Sequence, residues 1–492
     1  MSRILQASME QSQIIELIGT LTSEEKDQIR HFASNPVFNQ GKLKEYVPRL
    51  LDICLSYSQR EHKNGLEKKS VFAMLFPDQS FIEGKLEKIM VEAYKVVRKM
   101  LTVSQYLQEE NVFQQNFDYS KVLRRKGLAA LYLRSLTRLQ KMQLENPYKT
   151  ANFFYQQFLL ETAIHDEECF NNQVKGDLNI PNVLHALDIF AHLNRLALLN
   201  RYLLQQKAAK VEVPDALVPQ LEECNIPEIY LKESPSLRAN FAVFNLLKKD
   251  RPDTLDIRTF YEMLQRYEQN LDKESLQQFY TYLRNLCILV SAGDYGNEEI
   301  ALTLHDLYKD NLTRGYLHYE GKLHPSRYWA VTSNAIRVKD FDWAIDFIEK
   351  NKLDLIGENE TQDIYRLNLA NYLFGVGRFP ECLDNIPASS PFVDYLLRGK
   401  CLEIKAYYEL KSDLLSFKLE AFKVFLSRTS PKLLSDTNKQ IHSDFANLLH
   451  QIINSLPGDP KRSDLLLKRI QEKKQAAEWR WLLEKAKALK SG

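Results

Sequence analysis

Residues 328–426 carry a pattern that few folds accommodate. The segment YWAVTSNAIRVKDFDWAIDFIEKNK is followed by YRLNLANYLFGVGRFPECLDNI, and the second half of each repeats apolar side chains at the same offsets. Phe341, Ala344, Ile345 and Ile348 match Phe379, Cys382, Leu383 and Ile386. Both sets follow i, i+3, i+4, i+7, the stripe of a helix buried along one side. The first halves are striped as well, through Tyr328, Val331, Ala335 and Val338, then Tyr365, Leu369, Tyr372, Leu373 and Val376. Two helices this short cannot bury their apolar faces against each other alone, so units of this kind stack on neighbours. The pattern predicts an all-α chain.

The totals agree with that expectation. Only 16 Gly and 17 Pro are spread through 492 residues, too few turn formers for a fold of many short strands. That length exceeds what one hydrophobic core organises, so several subdomains or a quasi-linear array are expected. Hydrophobic content of 44% and charged content of 26% argue against long disorder. A net charge of +2 gives the whole molecule no electrostatic case for nucleic acid or acidic lipid. The six cysteines include no CxxC pair, which fits a reduced intracellular chain. The N-terminal MSRILQASMEQSQIIELIG lacks a continuous apolar stretch, and the densest apolar run, LCILVSA at 286–292, is too short to span a bilayer. A cytoplasmic location is expected.

Taken in order, residues 1–20 read as one amphipathic helix, and Thr22 with Glu25 has the capping-box form that opens the next. NPVFNQG at 35–41 breaks the pattern, 42–57 restores it, SQREHKNG forms a polar loop, and a long helix is expected from Ser80. The break at Ser34 to Asn39 and the turn at Leu75 to Phe81 resemble a family of uncharacterised bacterial all-helical proteins; the resemblance implies no activity. Residues 119–144 read as one basic helix buried through Leu128, Leu131, Leu133 and Leu136, and 183–206 as a strongly apolar one. Pro214, Pro219, Pro227 and Pro235 forbid a long helix across 208–235, where VEV is the one strand-like fragment. Leu276, Phe279, Leu283, Leu286 and Val290 stripe a further helix, joined through a turn at 292–296 to a partner bearing Ile300, Leu304, Leu307 and Tyr308. The organisation expected is an N-terminal helical domain at 1–207, an irregular connection at 208–235, a helical-hairpin array at 236–456, and a basic capping helix at 457–492.

The hairpins of the opening stretch resemble the tetratricopeptide (TPR) repeat. Their turns, Lys339-Asp340-Phe341-Asp342-Trp343-Ala344 and Gly377-Arg378-Phe379-Pro380-Glu381-Cys382, place an aromatic and then a small residue three positions on. Thr332 and Ala370 supply small residues nine positions before those aromatics. A third unit, with Ala406, Leu415, Leu419 and Phe422, is looser, because Lys418 stands at an apolar position. Phe341 to Phe379 spans 38 residues and Phe379 to Leu415 spans 36, against about 34 in the consensus. The first turn lacks glycine and neither unit ends in proline. The resemblance implies an α-solenoid of TPR-like hairpins; the alternative is ordinary hairpins in an irregular α-domain.

Catalytic signatures are absent: the sequence has no G-x-x-x-x-G-K-[ST], H-E-x-x-H or G-x-S-x-G. Gly375 and Gly377 belong to a helix and its turn rather than to a phosphate cradle. His165 and Cys169 share a helix face at i, i+4, but a structural metal site needs four ligands. His185 and His192 read as packed or hydrogen-bonded histidines. No enzyme, cofactor or metal is therefore expected. The function expected is a non-enzymatic scaffold or adaptor for a protein or peptide of unspecified identity. If the TPR register holds, Trp329, Ser333 and Arg337 face the concave groove together with Leu367 and Asn371. The alternative is a nucleic-acid-associated regulator, with the basic helices 119–144 and 462–490 on phosphates and Trp479 and Trp481 stacked on bases; Glu472, Glu478 and Glu484 dilute the second helix, and the indoles serve equally as anchors.

Overall fold

The computed structural model describes residues 8–58, 66–170, 179–209, 213–222, 224–250, 252–293, 298–319, 321–355, 361–388, 392–456 and 458–491. Among them the chain is all-helical: α-helices and short 3-10 turns account for the regular structure, without a strand. No helix among the described residues is long and apolar enough to cross a membrane. The chain divides into two compact units, residues 1–146 with 155–186, and residues 147–154 with 187–492. Residues 187–207 pack with the second unit, as do the connection and the tail.

In the first unit, α1 (Gln13–Thr20), α2 (Ser23–Ser34), α3 (Val47–Ser58), α4 (Lys68–Leu75) and α5 (Lys85–Tyr106) share one core. Of the single helix expected over 1–20, Gln13–Thr20 is helical and residues 8–12 are not, with Met9 buried from that non-helical stretch; residues 1–7 lie outside the described residues. The capping box is present, with Thr22 Oγ1 accepting from Glu25 N–H at 3.2 Å and Glu25 Oε2 accepting from Thr22 N–H at 2.8 Å. The break after Ser34 persists to Tyr46 because Asn39, buried, donates through Nδ2 to the carbonyls of Ala33 and Lys44 at 2.8 Å each. The helix expected from Ser80 starts at Lys85, after Gly84, while Phe81 sets its ring edge-on to Phe72. The polar loop expected at 58–65 lies outside the described residues from position 59 on.

The basic stretch 119–144 is two helices, α6 (Val112–Arg125) and α7 (Ala129–Glu145). Gly127 adopts φ +71°, and Leu128 N–H closes on Leu123 O, which turns the chain into a hairpin. The turn rotates the face of α7, so Leu128, Leu131 and Leu133 are exposed while Tyr132, Leu136, Leu139 and Gln143 are buried. Those side chains pack with α8 (Ala151–Phe170) through Leu160.

The second unit contains most of α9 (Ile180–Ala209), whose buried line is Ile189, Leu193, Leu196, Leu199 and Leu203. Two residues of the VEV fragment, 211 and 212, lie outside the described residues. The proline-rich connection holds two short helices, α10 (Val218–Glu222) and α11 (Glu228–Glu233), separated where Pro227 is the N-cap. Hairpins follow: α12 (Pro235–Lys248) with α13 (Thr254–Arg266), and α14 (Lys273–Gly293) with α15 (Glu298–Thr313). The whole predicted stripe of α14 is buried, and so are Ile300, Leu304, Leu307 and Tyr308 of α15; the turn at 294–296 lies outside the described residues.

Next come α16 (Pro325–Arg337) with α17 (Phe341–Lys350), α18 (Thr361–Gly375) with α19 (Phe379–Asn385), and α20 (Val393–Glu409) with α21 (Leu415–Arg428). Each helix packs on its hairpin partner, and α16, α18 and α20 also pack in succession on one another. The predicted small residues Thr332 and Ala370 are fully buried. The aberrant Lys418 is satisfied at the half-exposed edge of its helix by Glu403 at 2.6 Å. The chain ends in α22 (Asp436–Ile453), α23 (Pro460–Glu472) and α24 (Trp479–Ser491). The single capping helix expected over 462–490 is thus a pair of helices, which share a core with α20, α21 and α22.

Candidate functional site

The site is built on α16. Pro325 occupies its first turn, and His324 Nδ1 accepts from Ser326 N–H at 3.2 Å as the N-cap. Tyr328, Val331, Thr332 and Ala335 turn inward, and Tyr328 donates its hydroxyl to Ile348 O at 2.6 Å. The helical period then places Trp329, Ser333 and Arg337, four residues apart, along the neighbouring face, where all three are half-buried. On α18, Asn371 reaches back and donates through Nδ2 to Ser333 Oγ at 3.2 Å. These two residues are 38 apart, the same step that separates Phe341 from Phe379. Equivalent positions of consecutive hairpins are therefore in contact. Leu367, expected on the same surface, is 1% exposed and belongs to the core. It presents no surface to a partner, because α20 packs on α18 at that level.

Sequence reasoning placed a third unit through Ala406 but missed the side chains of its first helix that complete this face. Tyr395 of α20 donates its hydroxyl to Pro325 O and lies edge-on to Trp329, with ring centroids 6.1 Å apart. The Arg398 guanidinium sits 4.9 Å from the Trp329 ring centre and 5.6 Å from that of Tyr395, a double cation–π contact. Its Nη1 is buried and has no hydrogen-bond partner, and burial pushes the guanidinium pKa below its ordinary value. Arg337 behaves similarly: burial, then the charge of Arg480, push it down to about 10, with Glu298 opposing. It remains protonated at neutral pH. Lys405, 6% exposed, lies over Phe374 and pairs with Glu478 at 2.6 Å. The face is thus aromatic and cationic. The i, i+3 spacing of Tyr395 and Arg398 was visible in the sequence, but their meeting with Trp329, more than sixty positions upstream, was not.

The titratable groups around this face are structural. Asp340 caps α17, accepting from Trp343 N–H at 3.4 Å, and also accepts from Lys309 at 2.6 Å and His305 at 2.9 Å. Those hydrogen bonds hold its carboxyl down at about 2. Burial pushes the Cys382 thiol up to about 12 and raises Cys401 as well, so neither is a thiolate nucleophile. All six cysteines are free. His165 and Cys169 approach to 3.8 Å, but the described residues hold no group of three or more His, Cys, Asp or Glu arranged to bind a metal. His192 is half-buried beside Tyr230, and burial lowers its pKa.

The two tail tryptophans are anchors. Trp481, 8% exposed, donates to Glu409 Oε1 at 2.7 Å and meets Tyr408 edge-on, while Trp479 donates to Ile470 O at 2.7 Å. The tail's cations are paired in part, Lys485 with Glu409 and Lys490 with Asp464. In the other basic segment, Lys121 pairs with Asp118 and Arg124 with Asp166. Trp481 therefore offers no ring face for stacking on a base.

The fold and the site define an all-α chain with an aromatic, cationic helix face. No protein-family model matches it, and no curated protein or solved structure does.

Proposed function

We propose that residues 236–456 form an α-solenoid of TPR-like hairpins and that the chain is a non-enzymatic scaffold or adaptor, acting in the cytoplasm, that binds a protein or peptide along the face of its first helices. The observation that carries this reading is the Ser333–Asn371 contact between positions one repeat apart. A row in which equivalent residues of successive first helices meet is what a stacked array requires, and such arrays bind extended segments along that row. The turns support the same reading. Asp340 N–H bonds to Ala335 O, Arg378 to Leu373 O and Ser412 to Tyr407 O, one six-residue closure repeated three times.

The partner's chemistry follows from the face. Trp329 supplies an aromatic platform and Arg337 with Arg398 supplies positive charge, so an extended segment carrying a carboxylate beside an apolar side chain suits it. Asn371, its amide nitrogen held by Ser333, offers its carbonyl oxygen to a backbone N–H. The test is to pan the full-length chain against a displayed random-peptide library, beside Arg337→Glu and Asn371→Ala. Wild type should enrich an acidic motif that Arg337→Glu loses, with both variants folded by circular dichroism. Enrichment of the same motif by Arg337→Glu overturns the assignment.

A further inference from the structure

Helix α9 carries a second stripe on the side away from its core. From residue 187 onward the helix belongs to the second unit, where Ile189, Leu193, Leu196, Leu199 and Leu203 form its buried line. Leu187, Ala191, Asn194, Leu198, Arg201 and Gln205 follow one another at alternating steps of four and three residues, and every one of them is exposed. This seam is displaced from the buried line by two positions, about 200° round the helix. Leu198 is 62% exposed and Leu187 37%. A helix with apolar residues on both sides is built to be covered on both. A step averaging 3.5 residues keeps one line of side chains facing a second helix over several turns.

The residues beside the seam indicate what that second helix is. On one flank Asp188 follows Leu187 and Arg195 follows Asn194, both exposed. Asp188 accepts from the Tyr230 hydroxyl at 3.0 Å, while no carboxylate pairs with Arg195 among the described residues. On the other flank Phe190 precedes Ala191 and Ala197 precedes Leu198, both half-buried. Antiparallel pairing with the same helix of a second copy brings like flanks together. With the two-fold axis level with His192 and Leu193, Leu187 meets Leu198 of the second copy and Ala191 leaves room for Asn194 of the second copy. In the same register Asp188 meets Arg195 of the second copy, and the large Phe190 meets the small Ala197 of the second copy. Symmetry makes each of these matches twice. Parallel pairing instead sets Arg201 against its own counterpart and leaves Asp188 and Arg195 apart, whereas the antiparallel register separates the two Arg201 side chains by roughly 25 Å along the axis.

We infer that the chain forms a homodimer through α9, the two helices running antiparallel with Asp188 of each copy paired to Arg195 of the other. The apolar seam supplies the attraction and the charges fix the direction, the division of labour found in paired helices generally.

The experiment is sedimentation equilibrium of the full-length chain from about 1 to about 100 μM. Wild type should pass from monomer to dimer across that range. Leu198→Glu, at an exposed position, should weaken the dimer by about tenfold or more. Asp188→Arg and Arg195→Asp each set like charges across the two-fold axis, and each alone should weaken it by about tenfold. Mixed together, the two variants restore opposite charges at both contacts and should associate about as tightly as wild type. The mixture is the decisive arm, because the hydrogen bond that Asp188→Arg takes from Tyr230 stays broken in it and recovery can come only from the charge pairing. Circular dichroism confirms that each variant is folded. A monomeric wild type at about 100 μM, an undiminished dimer in Leu198→Glu or in either charge variant, or a mixture no tighter than its components overturns the inference.

Discussion

The hairpin turns offer a direct test of whether the repeat is built by backbone geometry. The α16–α17 turn passes through Lys339 at φ +63° and the α18–α19 turn through Gly377 at φ +82°. Both close the same way, with Lys339 N–H on Ile336 O and Gly377 N–H on Phe374 O. A side chain in left-handed backbone costs about 1–2 kcal/mol. Glycine escapes that cost but loses about 0.5–1 kcal/mol more conformational freedom on folding. Lys339→Gly should therefore stabilise the second unit by about 0.5–1 kcal/mol, and Gly377→Ala should destabilise it by the same amount. Sterics do not confuse the comparison: a Cβ on Gly377 meets no atom within 4 Å, and Lys339 is exposed. The four tryptophans, Trp329, Trp343, Trp479 and Trp481, all lie in the second unit, so their fluorescence in urea follows that unit. Shifts of about 0.2–0.5 M in opposite directions are expected. A lower midpoint for Lys339→Gly, or a higher one for Gly377→Ala, would refute the shared turn geometry.

Three further outcomes are expected. A Cβ on Gly375 would stand 2.6 Å from Ile336 Cγ2 across the α16–α18 contact, so Gly375→Ala should cost about 1–3 kcal/mol, and Ile336→Ala should recover part of that loss; a neutral Gly375→Ala in urea unfolding contradicts the close approach. Asp340 is held at about 2 against an ordinary 3.8 by Lys309 and His305; a depressed carboxylate stabilises above its unfolded pKa, so that contribution should fade as pH falls from about 4 towards 2. Asp340→Asn should flatten the profile of thermal midpoint against pH in that window, and an unchanged profile would count against the cap. Removing the charge opposite Lys405 with Glu478→Gln should cost on the order of 2 kcal/mol, less than a fully buried pair because Glu478 keeps 31% exposure; Lys405→Met in the same chain should restore most of it, and additivity in the double-mutant cycle would disprove the pairing.

Several elements were legible because their cause is local. The capping box at Thr22 and Glu25, the stripe of α14 and the two matched hairpins each depend on residues within a turn or two of one another. Helices were overextended where the break is caused by something the period does not encode. Asn39 holds two carbonyls across a gap, and Gly127 reverses a stretch whose apolar residues also suit one long helix. The tail was read as one helix because its composition is helical throughout; the turn at 473–478 becomes favourable only as the indoles reach Ile470 and Glu409.

The sequence by itself determined the all-α class and the placing of most hairpins, since apolar period and capping act over a few residues. Tertiary structure alone decided which side chains share a surface. It buried Leu367 under α20, brought Tyr395 and Arg398 to Trp329, and set Arg480 near Arg337. The meetings at Trp329 and Arg337 join residues more than sixty positions apart, and all of them depend on how helices stack rather than on any local preference of the chain.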